Sequence, residues 1–346
     1  MAKCTIQGAK IKGIISAVPS RKFDNLKDAS GFTEDEVRKV VGMAGVKSRR
    51  LAGESVCSSD LCQTAAESLL GKIGWERDSI DALIMVTQSP DYILPSTACL
   101  LQMKLRLPTT CAAFDVGLGC SGYPYGLYMG ALMLSHGGIR RALLLHGETP
   151  ARFADECDRS VSLLFGDAGS ATALEMGGSE SAGPWSFVLQ TDGSGYEDLI
   201  IPGGGFRERF PDDKRRYCVS MNGANIFNFS IKRVPAVIQD TLDLAGLKKE
   251  DVDYYILHQS NQFIMRHLTK KLGIPEAKVP LTLADYGNTG GPSIPLTIAQ
   301  GGLDRPAGRP LTLMLVGYGV GLSWGSALVR LEPDAALGHV EFDNGR

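Results

Sequence analysis

A cysteine stands at the point where a short apolar stretch passes into a helix that is apolar on every face. Residues 114–134 read as a strand, a glycine-tight turn that contains Cys120, and a helix without a polar side. Such a helix must be buried, and Pro124 marks its first turn rather than a break. A thiol at this point feels the positive end of the helix dipole, which favours the thiolate and lowers its pKa. Cys120 is therefore either a nucleophile or a small apolar side chain that fills the core.

A histidine is the second candidate for chemistry. His258 follows residues 253–257, which the pattern predicts to be a strand. Sites in α/β folds lie at the carboxyl ends of strands, so His258 is a candidate functional residue. The alternative is a histidine that is only hydrogen-bonded in place. The histidines without such a context are His136, His146, His267 and His339.

The elements that position these residues occur twice in the chain. Three sets of residues recur in the same order, with offsets that differ slightly, as insertions in loops require. The matched sets are Gly74, Ile80, Asp81 and Ile84 with Gly246, Val252, Asp253 and Ile256; Cys120 to Pro124 with Asn288 to Pro292; and Gly169 to Ala171 with Gly325 to Ala327. We infer a duplicated β/α unit whose halves join near residues 177–183, a glycine- and serine-rich stretch. A pseudo-twofold axis would then bring Cys120 and Asn288 to one site.

Other segments carry weaker signals. Strands are predicted at 1–18, 82–86, 253–257 and 323–331, and helices at 32–46 and 59–73. The basic cluster 47–50 is predicted to be a solvated loop, with a dock for a phosphate-bearing cofactor arm as the alternative. The glycine-rich run 317–321 is predicted to let backbone approach a ligand closely. Neither this run nor 203–205 fits a dinucleotide or P-loop pattern.

Composition excludes several classes of protein. The 346 residues are 44% hydrophobic and 21% charged with a formal net charge of -2, which is typical of a soluble globular protein and gives no basic face for nucleic acid or lipid. The eight cysteines are spread out without metal-ligand spacing, so reduced thiols and no metal site are expected. No signal peptide or membrane-spanning run is recognised, and a cytoplasmic protein is expected.

Five stretches together resemble the β-ketoacyl-acyl-carrier-protein synthase III family. They are Cys120-Ser121-Gly122, Phe165-Gly166-Asp167-Ala168-Gly169, His258-Gln259-Ser260-Asn261, Gly287-Asn288-Thr289-Gly290 and the stretch from Gly319 to Ala327. The resemblance spans about residues 11–331, and the ordered Cys, His and Asn set is its specific part. It implies the α/β thiolase fold, with duplicated halves in five layers, α-β-α-β-α, usually as a homodimer. The halves would be residues 1–178, with Cys120, and residues 179–346, with His258 and Asn288.

The resemblance also implies a chemistry. Cys120 takes an acyl group from acyl-CoA, and the backbone N–H groups of Cys120 and Val320 form the oxyanion hole. His258 and Asn288 then donate hydrogen bonds to the thioester oxygen of a malonyl extender as carbon dioxide leaves. This decarboxylative Claisen condensation needs neither a metal nor an organic cofactor.

The sequence departs from the family pattern at three points. Family members often have Trp in the helix that here contains Val37, and Arg two residues after the Asn that corresponds to Asn261, where this chain has Phe263. They often have Phe where Leu94 stands, in a loop that closes the partner's acyl tunnel. Asn261, Phe263 and Leu94 are therefore candidate substrate-binding residues, and the smaller Leu94 predicts a deeper tunnel for medium-length or branched acyl groups.

The resemblance leaves several functions and pathways possible for this protein. A specialised or polyketide pathway is as well supported as the initiation of fatty-acid synthesis, and an acyl carrier protein is a candidate partner. The first alternative is an acyltransferase on the same fold that passes the acyl group to an alcohol, amine or thiol. The second is a non-catalytic subunit of a heteromeric synthase, against which the intact Cys, His and Asn set argues.

Overall fold

Two large β-sheets, two two-stranded sheets and three layers of helices make up the part of the chain that the structure describes. The computed structural model describes residues 2–343 except 137, 159–160 and 178–182, so most of the predicted junction at 177–183 lies outside the described residues. The strands are β1 Ala2–Ile6, β2 Ala9–Pro19, β3 Lys22–Asp24, β4 Ser48–Arg50, β5 Ala82–Val86, β6 Ala112–Val116, β7 Arg141–Glu148, β8 Ala168–Met176, β9 Trp185–Thr191, β10 Leu199–Ile200, β11 Ser220–Met221, β12 Tyr254–Leu257, β13 Leu311–Gly319, β14 Ser323–Leu331 and β15 Ala336–Phe342. The helices are α1 Asn25–Asp28, α2 Glu34–Ala44, α3 Ser58–Ile73, α4 Thr97–Lys104, α5 Gly122–His136, α6 Gly223–Ala245, α7 Gln262–Leu272, α8 Leu283–Tyr286 and α9 Ser293–Gln300.

The layers confirm the predicted thiolase architecture. One sheet has the strand order β15-β2-β8-β7-β5-β6 and the other β1-β9-β14-β13-β12. Helices α3 and α4 pack on the outer face of the first sheet, and α6, with α7 packed against it, covers the second. Helices α5 and α9 lie between the two sheets, which explains why α5 has no polar side. No helix of the described residues is long and apolar enough to cross a membrane.

The internal repeat is visible in the order of the strands. The first strand in each order comes from the other half of the chain: β15 in the first sheet and β1 in the second. The strands that follow occupy equivalent places in the two sheets, in the pairs β2 and β9, β8 and β14, β7 and β13, and β5 and β12. The matched glycines Gly74 and Gly246 end α3 and α6 in the same way, each in a left-handed conformation with φ 66°. Sequence matches in the outer helices therefore mark equivalent positions.

Two of the predicted matches are out of register. A backbone bond opens α5, from Gly122 N–H to the Gly119 carbonyl, and its counterpart at α9 joins Ser293 to Gly290. Cys120 is therefore equivalent to Gly291, and Asn288 stands three residues earlier in its turn. Gly169 and Gly325 also differ, because Gly169 faces α3 on the outer side of its sheet, whereas Gly325 faces Tyr125 of the central helix α5.

The basic cluster is not the solvated loop that the sequence predicts. Ser48 to Arg50 form β4, which pairs with β3, and Arg49 is only 4% exposed. The Arg49 guanidinium donates to Asn25 Oδ1 at 2.8 Å and to the Phe165 carbonyl at 3.0 Å. Burial lowers its pKa to about 10. Arg49 therefore links β4 to α1 and to the segment that directly precedes β8, and the buried acceptors there compensate its charge.

Candidate active site

Cys120 lies in the turn between β6 and α5, beside a mostly apolar cavity. The cavity has a volume of about 310 Å³. Its lining consists of Gln88, Gly119, Cys120, Glu148, Pro150, Phe153, Phe165, Leu199, Ile200, Ile201, Val219, Gly290 and Val320. A cysteine that faces such a space is accessible to a substrate, so the alternative of a side chain that only fills the core is not supported.

The pKa of the Cys120 thiol is raised, not lowered as the helix dipole predicts. Burial raises it to about 12, and the nearby Glu148 carboxyl adds to the increase. The backbone N–H groups of Val320 and of Cys120 itself act in the opposite direction, because they donate to the sulfur. Desolvation therefore outweighs the dipole, and the free enzyme holds Cys120 as a thiol.

The glycine-rich run 317–321 approaches the nucleophile itself. It closes the hairpin between β13 and β14. A Cβ at Gly319 would lie 2.8 Å from the Cβ of Cys120 and 3.0 Å from its Sγ, and Gly319 has a φ of 157°. Only glycine allows the hairpin this close. The approach brings the Val320 N–H to the sulfur, so the two predicted oxyanion-hole donors converge on one point.

His258 is held as a neutral ring at the end of β12. It is 2% exposed, and its Nδ1 lies 2.8 Å from Ser293 Oγ. Burial lowers the pKa of His258 to about 4, although the Gly290 carbonyl raises it in part. At neutral pH the imidazole therefore carries one proton, which makes it a hydrogen-bond donor without a charge.

Asn288 has one amide proton left to give. Its Oδ1 accepts from the Gly290 N–H at 2.9 Å, and its Nδ2 donates to the Ser260 carbonyl at 3.2 Å. These two bonds fix which end of the amide is the donor, since each has only one chemically sensible direction. An amide nitrogen carries two protons, so the second is available to a ligand.

Short contacts join these groups into one site. The Ser260 N–H donates to the His258 carbonyl at 2.9 Å, so the residue that orients Asn288 is also bonded to His258. The ring centroid of Tyr318 lies 5.6 Å from that of His258, and burial and the nearby Cys120 raise the pKa of Tyr318. The structure thus brings Cys120, Val320, His258 and Asn288 together.

The other three predicted site residues lie outside this cluster. Asn261 caps α7, where its Oδ1 accepts from the Ile264 N–H at 2.8 Å. Phe263 is 44% exposed and packs against the rings of Phe227 and His267. Leu94 is 79% exposed and does not line the cavity of its own chain. Their substrate-binding roles stay predictions.

Sequence reasoning missed two buried groups at the end of β7. Glu148 lines the cavity and accepts from the Gln88 N–H and from Ser89 Oγ, each at 2.8 Å, and burial raises its pKa to about 7. His146 packs against Gly291 at the start of α9, and burial lowers its pKa to about 3. Both lie at the carboxyl end of a parallel strand, the same signal that identifies His258.

The five-layer fold and this set of groups define an enzyme of the acyl-transferring, condensing type. A cysteine faces two backbone donors, with a neutral histidine and an amide beside it. Comparison with known proteins names the family. The sequence profile of 3-oxoacyl-[acyl-carrier-protein] synthase III matches residues 114–193, and the profile of its C-terminal part matches residues 242–331. The chain belongs to the 3-oxoacyl-[acyl-carrier-protein] synthase III family.

Individual relatives cover nearly the whole chain. A Campylobacter jejuni protein named as a 3-oxoacyl-[acyl-carrier-protein] synthase 3 is 33% identical over 95% of this chain and 96% of its own length. The crystal structure of a 3-oxoacyl-(acyl-carrier protein) synthase from Burkholderia xenovorans is similar with a TM-score of 0.93, at 43% identity over 98% of this chain and 99% of that one. The priming β-ketosynthase of the R1128 polyketide pathway is also similar, with a TM-score of 0.83 at 25% identity over 95% and 98% of the two chains.

Proposed function

We propose that this protein condenses an acyl group carried on Cys120 with a malonyl thioester, in a decarboxylative Claisen reaction. The observation that carries the proposal is the pairing of His258 and Asn288. A ring kept neutral by burial and an amide with one unused N–H are both donors without charge. Such donors stabilise the enolate oxygen that forms when a malonyl thioester loses carbon dioxide.

In the first half-reaction, Cys120 Sγ attacks the carbonyl carbon of an acyl-CoA. The carbonyl oxygen becomes an oxyanion between the N–H groups of Cys120 and Val320, which already point at the sulfur. The C–S bond to CoA then breaks, and the CoA sulfur leaves with its electron pair and takes up the proton that the thiol lost. Acylation therefore neither releases nor consumes a proton overall. This balance is compatible with a Cys120 thiol whose pKa is raised.

In the second half-reaction, the bond between the malonyl α-carbon and its carboxylate breaks. Carbon dioxide leaves, and the electron pair becomes an enolate whose oxygen accepts from His258 and Asn288. The enolate carbon attacks the acyl carbonyl, and Cys120 leaves as the thiolate. The negative charge of the malonyl carboxylate thus ends on the Cys120 sulfur, which takes up one proton from solvent, so the half-reaction consumes one proton overall.

The substrates and partners follow from the surroundings of the site. The apolar lining supports a medium-length or branched acyl group, supplied as acyl-CoA in the cytoplasm, with a malonyl group on CoA or on acyl carrier protein as the acceptor. The exposed side chains of Tyr92, Ile93 and Leu94 and the unpaired edge of β6 support a homodimer. Relatives named for synthase III and for polyketide priming support either fatty-acid initiation or a specialised pathway.

One incubation tests the proposal. The enzyme is mixed with an acyl-CoA and a malonyl thioester, and carbon dioxide release is followed together with the mass of the intact protein. We expect an acyl adduct on Cys120 and release of carbon dioxide with formation of the β-ketoacyl product. An adduct that passes to an alcohol, amine or thiol without carbon dioxide would indicate an acyltransferase instead. The absence of any adduct would indicate a non-catalytic subunit.

A further inference from the structure

We propose that Ser121 and Ser323 are positioning residues whose mutual hydrogen bond holds together the two backbone segments of the oxyanion hole. Their Oγ atoms lie 2.8 Å apart, and the two residues are 0% and 2% exposed. Ser121 directly follows Cys120, and Ser323 lies three residues after Val320. The inference rests on the proposed acylation of Cys120.

The two donors of the hole come from distant parts of the chain. Cys120 belongs to the turn before α5, whereas Val320 lies in the hairpin between β13 and β14, and the two serines are 202 positions apart. The distance from each N–H to the thioester oxygen therefore depends on how these two segments are held against each other. Misplacement of a catalytic group by about 1 Å can cost about 100-fold in rate.

The neighbouring turn is fastened in a different way. The Asn288 N–H donates to the Leu164 carbonyl at 2.9 Å, and the Asn288 carbonyl accepts from the Gly166 N–H at 3.1 Å. Backbone pairing thus joins the Asn288 turn to the segment beside it. The Cys120 turn cannot use its own N–H in this way, because that donor must stay directed at the sulfur and the substrate oxygen. The hydrogen bond between the Ser121 and Ser323 side chains joins the two segments and leaves the Cys120 N–H for the substrate oxygen.

Close packing sets the position from the other side. A Cβ at Gly317 would lie 2.7 Å from the Cys120 carbonyl oxygen and 2.8 Å from the Cα of Ser121, so the hairpin already lies in contact with the turn. Packing prevents the segments from moving closer, and the Ser121–Ser323 bond prevents them from moving apart. Together the two constraints fix the spacing of the hole.

The test measures the rate of Cys120 acylation by mass spectrometry in the wild type and in Ser121→Ala, Ser323→Ala and the double variant. We expect each single change to lower the maximal rate about 10- to 100-fold. The acyl-CoA concentration that gives half of that rate should stay nearly constant. The double variant should be no slower than the slower single variant, because either change breaks the same bond. Ser323→Thr keeps a hydroxyl and should recover most of the rate.

A matched control lies in the same strand. Ser326 is buried in β14, and its hydroxyl forms a hydrogen bond with the Thr241 hydroxyl on α6, away from Cys120. Ser326→Ala therefore removes an equivalent buried hydrogen bond between two hydroxyl groups. We expect it to lower the melting temperature and leave acylation unchanged. If Ser121→Ala does not fold, Ser323→Ala and Ser323→Thr test the bond from its other side.

The outcomes separate this inference from the proposed function. Wild-type acylation rates in the double variant, strictly multiplicative losses in the cycle, or an equal loss in Ser326→Ala would each overturn the positioning role. A wild-type protein that takes no acyl group at Cys120 would overturn the proposed function, and this inference with it.

Discussion

The carboxyl group of Glu148 opposes ionisation of the Cys120 thiol. Glu148 lines the same cavity as Cys120, and after burial it is the second cause of the raised thiol pKa. The carboxyl is itself held by Gln88 and Ser89 and has a pKa of about 7. The reactivity of the nucleophile is therefore linked to the charge of a residue that forms no bond with it.

Replacing Glu148 should change the pH at which Cys120 becomes reactive. In Glu148→Gln the negative charge is absent at every pH, so the pKa of Cys120 should fall, and alkylation by iodoacetamide should reach half of its maximal rate at a lower pH than in the wild type. Asp167→Asn, which removes a buried carboxyl that is not among the causes of the Cys120 shift, serves as the control. Equal midpoints in the wild type and Glu148→Gln would show that the two groups are not coupled.

The same carboxyl should make the protein less stable as the pH rises. The pKa of Glu148 is raised from 4.5 to about 7 in the folded state. Between these values the folded protein keeps a proton that the unfolded chain has lost, so the free energy of unfolding falls with rising pH and levels off above about 7. The loss is on the order of 3 kcal/mol at most, from about 1.4 kcal/mol per pKa unit. Urea unfolding at pH 5 and pH 8 should show a smaller decrease in Glu148→Gln. A decrease of the same size in both proteins would contradict the assignment.

Cys120→Ser should abolish the acyl-enzyme. A serine hydroxyl needs a strong general base, and the nearby His258, with a pKa lowered to about 4, is a weak one. Intact-protein mass spectrometry after treatment with acyl-CoA is the measurement. Cys157→Ser removes an exposed cysteine and should acylate as the wild type does. A full acyl adduct on Cys120→Ser would remove Cys120 from its role.

His258→Ala and Asn288→Ala should keep self-acylation and lose decarboxylation. Loss of one oxyanion-type donor lowers the rate by about two to three orders of magnitude. Release of carbon dioxide from a malonyl thioester is the readout, and formation of the acyl adduct is the internal reference. His267→Ala changes an exposed histidine on α7 and should have no effect. Release at wild-type speed in both variants would favour the acyltransferase alternative.

Leu94→Phe should shorten the preferred acyl group. If the exposed Leu94 closes the tunnel of a partner subunit, a larger ring there shortens the space. Each buried methylene contributes about 0.8 kcal/mol, which is about fourfold in preference per carbon. Acylation rates across straight-chain acyl-CoAs measure the effect, and the rate with acetyl-CoA should barely change. A wild-type optimum at acetyl that Leu94→Phe leaves unaltered would exclude Leu94 from the site.

The sequence predicted the parts of the site that lie in short local motifs. A few neighbouring residues are enough to predict the turn or strand end at which each of these groups lies. The groups are Cys120, His258, Asn288 and Val320, and the structure brings them together. Glu148 was missed although it ends an apolar strand as His258 does. The strand-end argument that identified His258 would have found it.

Properties that depend on distant partners could not be predicted. The lowered pKa expected for Cys120 came from a local dipole, whereas the burial that raises it comes from the whole fold. Arg49 was taken for a solvated charge because Asn25 and the Phe165 carbonyl reach it from elsewhere in the chain. The repeat was detected by similar residues, but the Cys120 and Asn288 turns are offset by three positions, and Gly169 and Gly325 face different layers of helices.

The pairing of β2 with β15, more than 300 residues further along the chain, has a consequence for how the protein is made. Strand β15 lies parallel to β2, with Ala336 beside Gly13 and Phe342 beside Pro19. During synthesis from the N-terminus, β2 therefore has an open edge until β15 has left the ribosome. Such an edge can pair with other chains. The newly made chain thus carries an exposed strand edge, and with it a risk of aggregation, until β15 has been translated and pairs with β2.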